Sequence, residues 1–202
     1  MVRENREYRN VPLFNVEQRK EGSSPSFFVE GYASTFETYV LFSDGDTEYK
    51  ERIEPTAFEG CDMSDVIFCK DHQGTVFART RNNTLSLIVD EHGLYTRTNL
   101  GKTASARAMY EEIEAGMYDQ MSFAFIVEED EYDFKTHTRI IKKIKKLFDV
   151  SAVNFPANDT TDISVVSARS SFNGFIEAEQ AERLERAKQL ELEKAKFNFL
   201  EV

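Results

Sequence analysis

One abrupt change of hydrophobic period constrains what this chain can fold into. From Thr103 to Met117 the apolar positions Ala106, Met109, Tyr110, Ile113 and Met117 recur at helical spacing, forming one face of an amphipathic helix. Gly116 offers a stop near its end. From Asp119 the period becomes two: Met121, Phe123, Phe125 and Val127 share one side of a strand, while Ser122, Ala124 and Ile126 share the other. A helix must therefore feed a strand with an aromatic wall on one side and a single hydroxyl, Ser122, on the other. Most serines in strands only bond to a neighbour; a nucleophilic one needs an adjacent base.

The rest of the chain up to residue 168 supplies further short strands. Phe27 to Phe36 reads as a strand, and Ser43-Asp44-Gly45-Asp46 as a turn before Tyr49 to Ile53 resumes an extended pattern. Pro55 to Phe58 is suited to opening a short helix. Val66 to Cys69 is a buried strand that delivers Lys70-Asp71-His72-Gln73-Gly74 at its far end. Leu85 to Asp90 and Leu94 to Leu100 form a hairpin about Glu91-His92-Gly93. Glu128 to Lys135 is acidic and reads as a solvated loop, followed by strands over Thr138 to Ile144 and Lys146 to Phe155 and a last one over Asp162 to Ala168. Many short strands and one central helix predict a β-rich α+β domain over residues 1–168, a closed or nearly closed antiparallel barrel. Residues 169–202 form a second unit. Ser167-Ala168-Arg169-Ser170-Ser171 reads as a flexible linker, and from Phe175 onward a charged helix without glycine or proline reads as an appendage or partner helix.

Composition excludes several functions. A formal net charge of −11 argues against a general nucleic-acid binder, because counterion release needs clustered Lys and Arg. The basic run Lys142-Lys143-Ile144-Lys145-Lys146 reads as the solvent face of a strand or hairpin. No stretch approaches the ~18 consecutive apolar residues of a membrane span, and Met1 to Asn10 lacks the apolar core of a signal peptide. Two cysteines, Cys61 and Cys69, are too few for a secreted disulfide scaffold. A soluble, intracellular protein is expected.

Three histidines are available as bases. His92 in a turn and His137 beside an acidic loop read as surface residues, whereas His72 follows a short apolar strand that would present it at a rim. A neutral imidazole in reach of Ser122 would take its proton, and a carboxylate would fix the imidazole's tautomer. Asp71 and Asp149 are the candidates. Neighbours in an extended chain point apart, which disfavours Asp71. Asp149 lies in the apolar run Leu147 to Val153, where a carboxylate is costly unless paired, and it is preferred. Oxyanion donors have no sequence signature; Arg79 and Arg81 are side-chain contributors to weigh against a solvated loop. A zinc site from Cys61, Cys69, His72 and Asp71 is disfavoured, since the cysteines lack paired spacing.

With these residues in view, the chain resembles the prohead (capsid maturation) serine proteases of tailed bacteriophages, which share the herpesvirus assemblin fold. The resemblance lies in Phe68-Cys69-Lys70-Asp71-His72, in Gly93-Leu94-Tyr95, in Ala108 to Phe125 with Met121-Ser122-Phe123-Ala124-Phe125, and in Leu147-Phe148-Asp149-Val150-Ser151-Ala152-Val153-Asn154-Phe155-Pro156-Ala157-Asn158. Together these cover about residues 27 to 168. Gln120, where relatives often carry glycine, and Lys70 depart from the pattern. The resemblance implies an assemblin-type barrel and a serine endopeptidase without a cofactor. Ser122 would be its nucleophile, His72 its general base and Asp149 its orienting acid. It implies the phage major capsid protein with its scaffold segment, and the protease itself, as substrates, and work inside the assembling procapsid in the host cytoplasm. No nucleic acid or membrane is implied, and a homo-oligomer is open to it. The charged tail would be a scaffold-like or self-cleaved segment. The alternative is a non-catalytic capsid or tail structural protein on the same barrel.

Overall fold

A computed structural model gives the architecture and describes residues 6–12, 27–153 and 163–200. In chain order the elements are β1 (Glu7–Pro12), β2 (Phe28–Thr35), β3 (Tyr39–Asp44), β4 (Thr47–Ile53), β5 (Ile67–Lys70), β6 (Gln73–Arg79), a 3-10 turn (Thr80–Asn82), β7 (Leu85–Val89), β8 (Gly93–Asn99), α1 (Ala104–Glu114), β9 (Gln120–Asp133), β10 (Thr138–Val153) and α2 (Ile163–Leu200). The predicted helix is α1, and the Thr103 hydroxyl caps it by accepting from the Ala106 N–H at 3.1 Å. It buries Ala106, Met109, Tyr110 and Ile113. Gly116 ends it with φ +73°, so Met117, expected on the apolar face, lies past the stop and is exposed.

The antiparallel pair β9–β10 is the spine. Its outer half contradicts the solvated loop expected over Glu128 to Lys135: β9 runs on to Asp133 because its acids meet the basic run across the ladder. Glu131 bonds Lys142 at 2.6 Å, Glu128 bonds Lys143 at 3.1 Å and Asp130 bonds Arg139 at 2.6 Å. The two strands expected over 138–155 are one, β10, sixteen residues long through Val153. That length lets its second edge carry two partners, β4 beside Thr138–Ile141 and β5 beside Asp149–Ala152, both parallel.

The hydrogen-bonded order is β1-β9-β10-β4-β3, with β5 on β10 and β6 on β5; β2-β8-β7 form a separate sheet. The closed or nearly closed barrel is therefore not found among the described residues. The two sheets meet through side chains, not through ladder bonds. Val29 and Ala33 of β2, Leu94 of β8, the α1 face, Phe123 and Phe125 of β9 and Val150 of β10 all enter one core. Strand count and alternation fit two packed sheets as well as a barrel, and only pairing separates them. Pro55 to Phe58 makes hydrogen-bonded turns in place of a helix.

β8 is seated on β2 at Gly93, opposite Thr35. A Cβ there would run into the Ser34 carbonyl oxygen and lie 2.8 Å from the Thr35 Cα, both backbone atoms that cannot swing aside. Gly93→Ala is expected to cost about 2–3 kcal/mol, read as a lowered midpoint in urea unfolding; an unchanged midpoint would mean this contact is looser than described.

β1 is held by a buried charge cluster. Arg9 bonds Glu51 at 2.5 and 2.7 Å and Glu7 at 2.7 Å, and Arg139 bonds Glu7 at 2.6 Å and Glu51 at 3.2 Å. Burial alone would lower the Arg9 pKa and raise that of Glu51; the opposite charges outweigh it, holding Arg9 above and Glu51 below their usual ranges. Glu51→Ala would leave two guanidiniums sharing Glu7 out of water. It is expected to destabilise the fold by about 3–5 kcal/mol, which thermal melts at neutral pH would show as a large fall in Tm.

The last predicted strand, Asp162 to Ala168, is not found; α2 begins at Ile163. The expected boundary at residue 168 thus falls inside a helix, and Ser167 to Ser171 belongs to that helix. Phe172 is fully buried against Phe42 and Tyr49, with Tyr132 beside it, so this part of α2 is bound to the body. Beyond it Leu184, Leu190 and Leu192 are exposed.

Candidate active site

The site is built across three strands by register. In β9–β10 Ser122 lies opposite Ser151, and in β10–β5 Ser151 lies opposite Cys69. Directly paired residues share a face, so Cys69, Ser151 and Ser122 form a row, and Asp149, two residues from Ser151, joins them. The opposite face carries Phe68, Phe123, Phe125, Val150 and Ala152 into the core. The aromatic wall predicted behind Ser122 is what fixes its side.

His72 reaches this row through a tight turn that no local sequence pattern announces. β5 and β6 form a hairpin in which Lys70 pairs with Gln73, so Asp71 and His72 are the two loop residues. Both are left-handed, with φ +48° and +58°, the sign that the tightest hairpin turns require at both positions. Residues with a Cβ resist this conformation by about 1–2 kcal/mol each. The Asp71 N–H is tied down by donating to the Ala152 carbonyl at 3.1 Å. The turn swings the imidazole back over β10 and β9.

There the His72 Nε2 lies 2.7 Å from the Ser122 Oγ, and the Nδ1 lies 2.6 Å from the Asp149 Oδ1. An ionised carboxylate has no proton to give, so Nδ1 donates to Asp149 and Nε2 accepts from the Ser122 hydroxyl. Ser151 adds a hydroxyl 2.8 Å from the same Asp149 oxygen, and the Cys69 Sγ is 3.1 Å from Ser151. Burial pushes the Cys69 thiol up to about 11, so it stays protonated. The Tyr8 ring stands edge-on to His72, centroids 4.6 Å apart. Ser122 is fully buried, and the His72 side chain is 9% exposed, which leaves its hydrogen bonds little competition from water. Chemically, a hydroxyl, imidazole and carboxylate in this order can pass a proton from oxygen to Nε2 while the oxygen attacks a carbonyl.

Of the residues singled out from sequence, Ser122, His72 and Asp149 come together. Asp71 was the competing acid; the carboxylate on His72 is Asp149's. Arg79 is occupied by Asp65 through a bidentate pair at 2.7–3.0 Å, and Arg81 points to the same carboxylate at 3.5 Å. Arg79 lies on β6, not in a loop. His92 is at the surface, and His137 faces Glu179 of α2 at 3.2 Å. No cluster of three or more His, Cys, Asp or Glu side chains suited to a metal occurs among the described residues. Ser151 and Tyr8 went unnoticed; for Ser151 the signal was its i+2 spacing from Asp149.

Such a row has the groups that acyl transfer through an activated serine requires. The profile of the caudovirus prohead serine proteases matches residues 14–174 of the chain. The prohead protease of Enterobacteria phage HK97 is 30% identical over 167 residues, covering 79% of this chain and 69% of that protein. Among solved structures, the bacteriophage T4 capsid assembly protease is similar with a TM-score of 0.47 and 13% identity, covering 75% of this chain and 96% of that one. The chain belongs to the caudovirus prohead serine protease family. It is a serine peptidase of capsid maturation.

Proposed function

We propose that the chain cleaves peptide bonds by a Ser–His–acid mechanism, with Ser122 as nucleophile, His72 as general base and Asp149 as orienting acid. The observation that carries this is the pair of short bonds on one imidazole, 2.7 Å to Ser122 and 2.6 Å to Asp149. As Ser122 Oγ bonds to the scissile carbonyl carbon, its proton passes to His72 Nε2. Asp149 stabilises the imidazolium and holds its orientation. Breakdown of the tetrahedral species breaks the C–N bond, and the same proton leaves with the amine. Water, deprotonated by His72, then releases the acyl group and restores Ser122.

The substrates are the major capsid protein with its scaffold segment and the protease itself, and the reaction takes place inside the procapsid. The family and the name of the HK97 relative, prohead protease, support this reading. Enclosure raises the effective concentration of both partners, so modest affinity suffices. The test is co-expression of the chain, wild type or Ser122→Ala, with the capsid protein of the same virus, read by intact mass. Trimming of the capsid protein, or of this chain's own tail, by the wild type alone is expected. Identical masses with both proteins would sink the assignment.

A further inference from the structure

We infer that Ser151 is a positioning residue for the reaction: its hydroxyl fixes the Asp149 carboxylate and, through it, the orientation of His72. The inference rests on the Ser122–His72–Asp149 mechanism proposed above and adds a fourth side chain to it.

The proton order in the row leaves Ser151 one role. A hydroxyl has one proton and two lone pairs. The Ser151 Oγ lies 2.8 Å from Asp149 Oδ1, 3.3 Å from His72 Nδ1 and 3.1 Å from Cys69 Sγ. His72 Nδ1 already carries a proton aimed at Asp149, so it cannot receive another. The Cys69 thiol keeps its proton and is a poor acceptor. The Ser151 proton therefore goes to Asp149, and the thiol donates into the Ser151 lone pair. One oxygen atom, Asp149 Oδ1, receives both the Ser151 O–H and the His72 N–H.

That shared atom makes Ser151 more than a packing residue. The torsion that turns a carboxylate about its own axis is broad and twofold, so a single bond from His72 does not define the plane. A second donor, rooted in the same strand two residues on, does. Ser151 is fully buried and sits in register with Ser122, so its position is fixed by the ladder that places the nucleophile. Removing its hydroxyl frees the carboxylate to rotate and lets the imidazole follow it away from Ser122. Ground-state binding of the peptide is expected to be little changed, because the Ser151 hydroxyl is committed to Asp149.

The test compares the full-length wild type with Ser151→Ala and Ser151→Cys, measuring initial rates on purified capsid protein. The low-field proton signal of His72 Nδ1–H is followed by NMR in a Ser122→Ala background, where the chain stays whole. Ser151→Ala is expected to lower kcat about tenfold with KM within about twofold, since only transition-state alignment is lost. Its His72 signal is expected to shift or broaden. Ser151→Cys, close in size and a weaker donor, is expected to fall between the two in rate and signal; it serves alone if Ser151→Ala does not fold. Wild-type kcat in these variants, or a fall in kcat with the His72 signal unmoved, would overturn the inference. Failure of the underlying mechanism is seen separately, as a His72 signal that Asp149→Asn leaves in place.

Discussion

Ser122→Ala is expected to reduce kcat by about a million-fold, the scale on which serine peptidases respond to loss of the nucleophile. Without Oγ there is no atom to form the acyl intermediate, and the proton acceptor 2.7 Å away has nothing to deprotonate. His72→Ala should cost nearly as much, and the double variant little more than either, because the two groups act as a unit. The fold should persist: alanine fits the small-residue face of β9 and leaves the aromatic wall intact. Capsid-protein cleavage followed over hours, beside a thermal melt, checks both points. Activity above about one per cent in a well-folded Ser122→Ala protein would exclude Ser122 as nucleophile, since residual catalysis from binding and polarisation alone lies far lower.

The second large effect is expected at Asp149. Asp149→Asn should lower kcat about ten-thousandfold with little loss of structure. The amide has nearly the same shape, so the strand pairing of β10 can be retained. Two things are lost. The negative charge no longer stabilises the imidazolium that forms as Ser122 attacks. The amide NH2 can also turn toward Nδ1 and hold the tautomer with its proton on Nε2, which then cannot accept from Ser122. An Asp149→Asn enzyme within about tenfold of wild type would show that another group orients His72. Asp71, one residue away, would be the first to examine.

These two predictions also mark how far the sequence could be read. The period change after Gly116 located α1 and β9 and put Ser122 on the side opposite the aromatics, because alternation is a local property of a strand. Asp149 was legible through cost: a carboxylate in an apolar run must have a partner, and the partner is His72. The order of strands was not legible, since pairing is decided by contacts distant in sequence, and the same alternation serves a barrel or two packed sheets. The acidic stretch after Val127 was misread because its β-partner is the basic run of β10; neither segment resembles a core strand alone. β6 was missed for a related reason. Gln73 to Val76 are exposed, and with β6 unseen the left-handed Asp71–His72 turn that aims the imidazole was unseen too.

The pairing of β9 decides how a peptide can reach Ser122. At Ser122 β9 has Asn10 of β1 on one edge and Ser151 of β10 on the other, so neither edge is open to an incoming chain. Under the proposed mechanism a peptide would have no backbone bonds to make with β9 there and would reach Ser122 over the sheet's face, on the His72 side. Among the described residues, unpaired edges lie further out on either flank: β1 is the terminal strand on the Asn10 side, and β6, which begins at the residue after His72, pairs only with β5. Either edge would hold a peptide on a strand other than the one that carries Ser122, and β6 would do so next to the two-residue turn of His72. Choice of sequence and the Ser122–His72–Asp149 chemistry would then be separable by substitution.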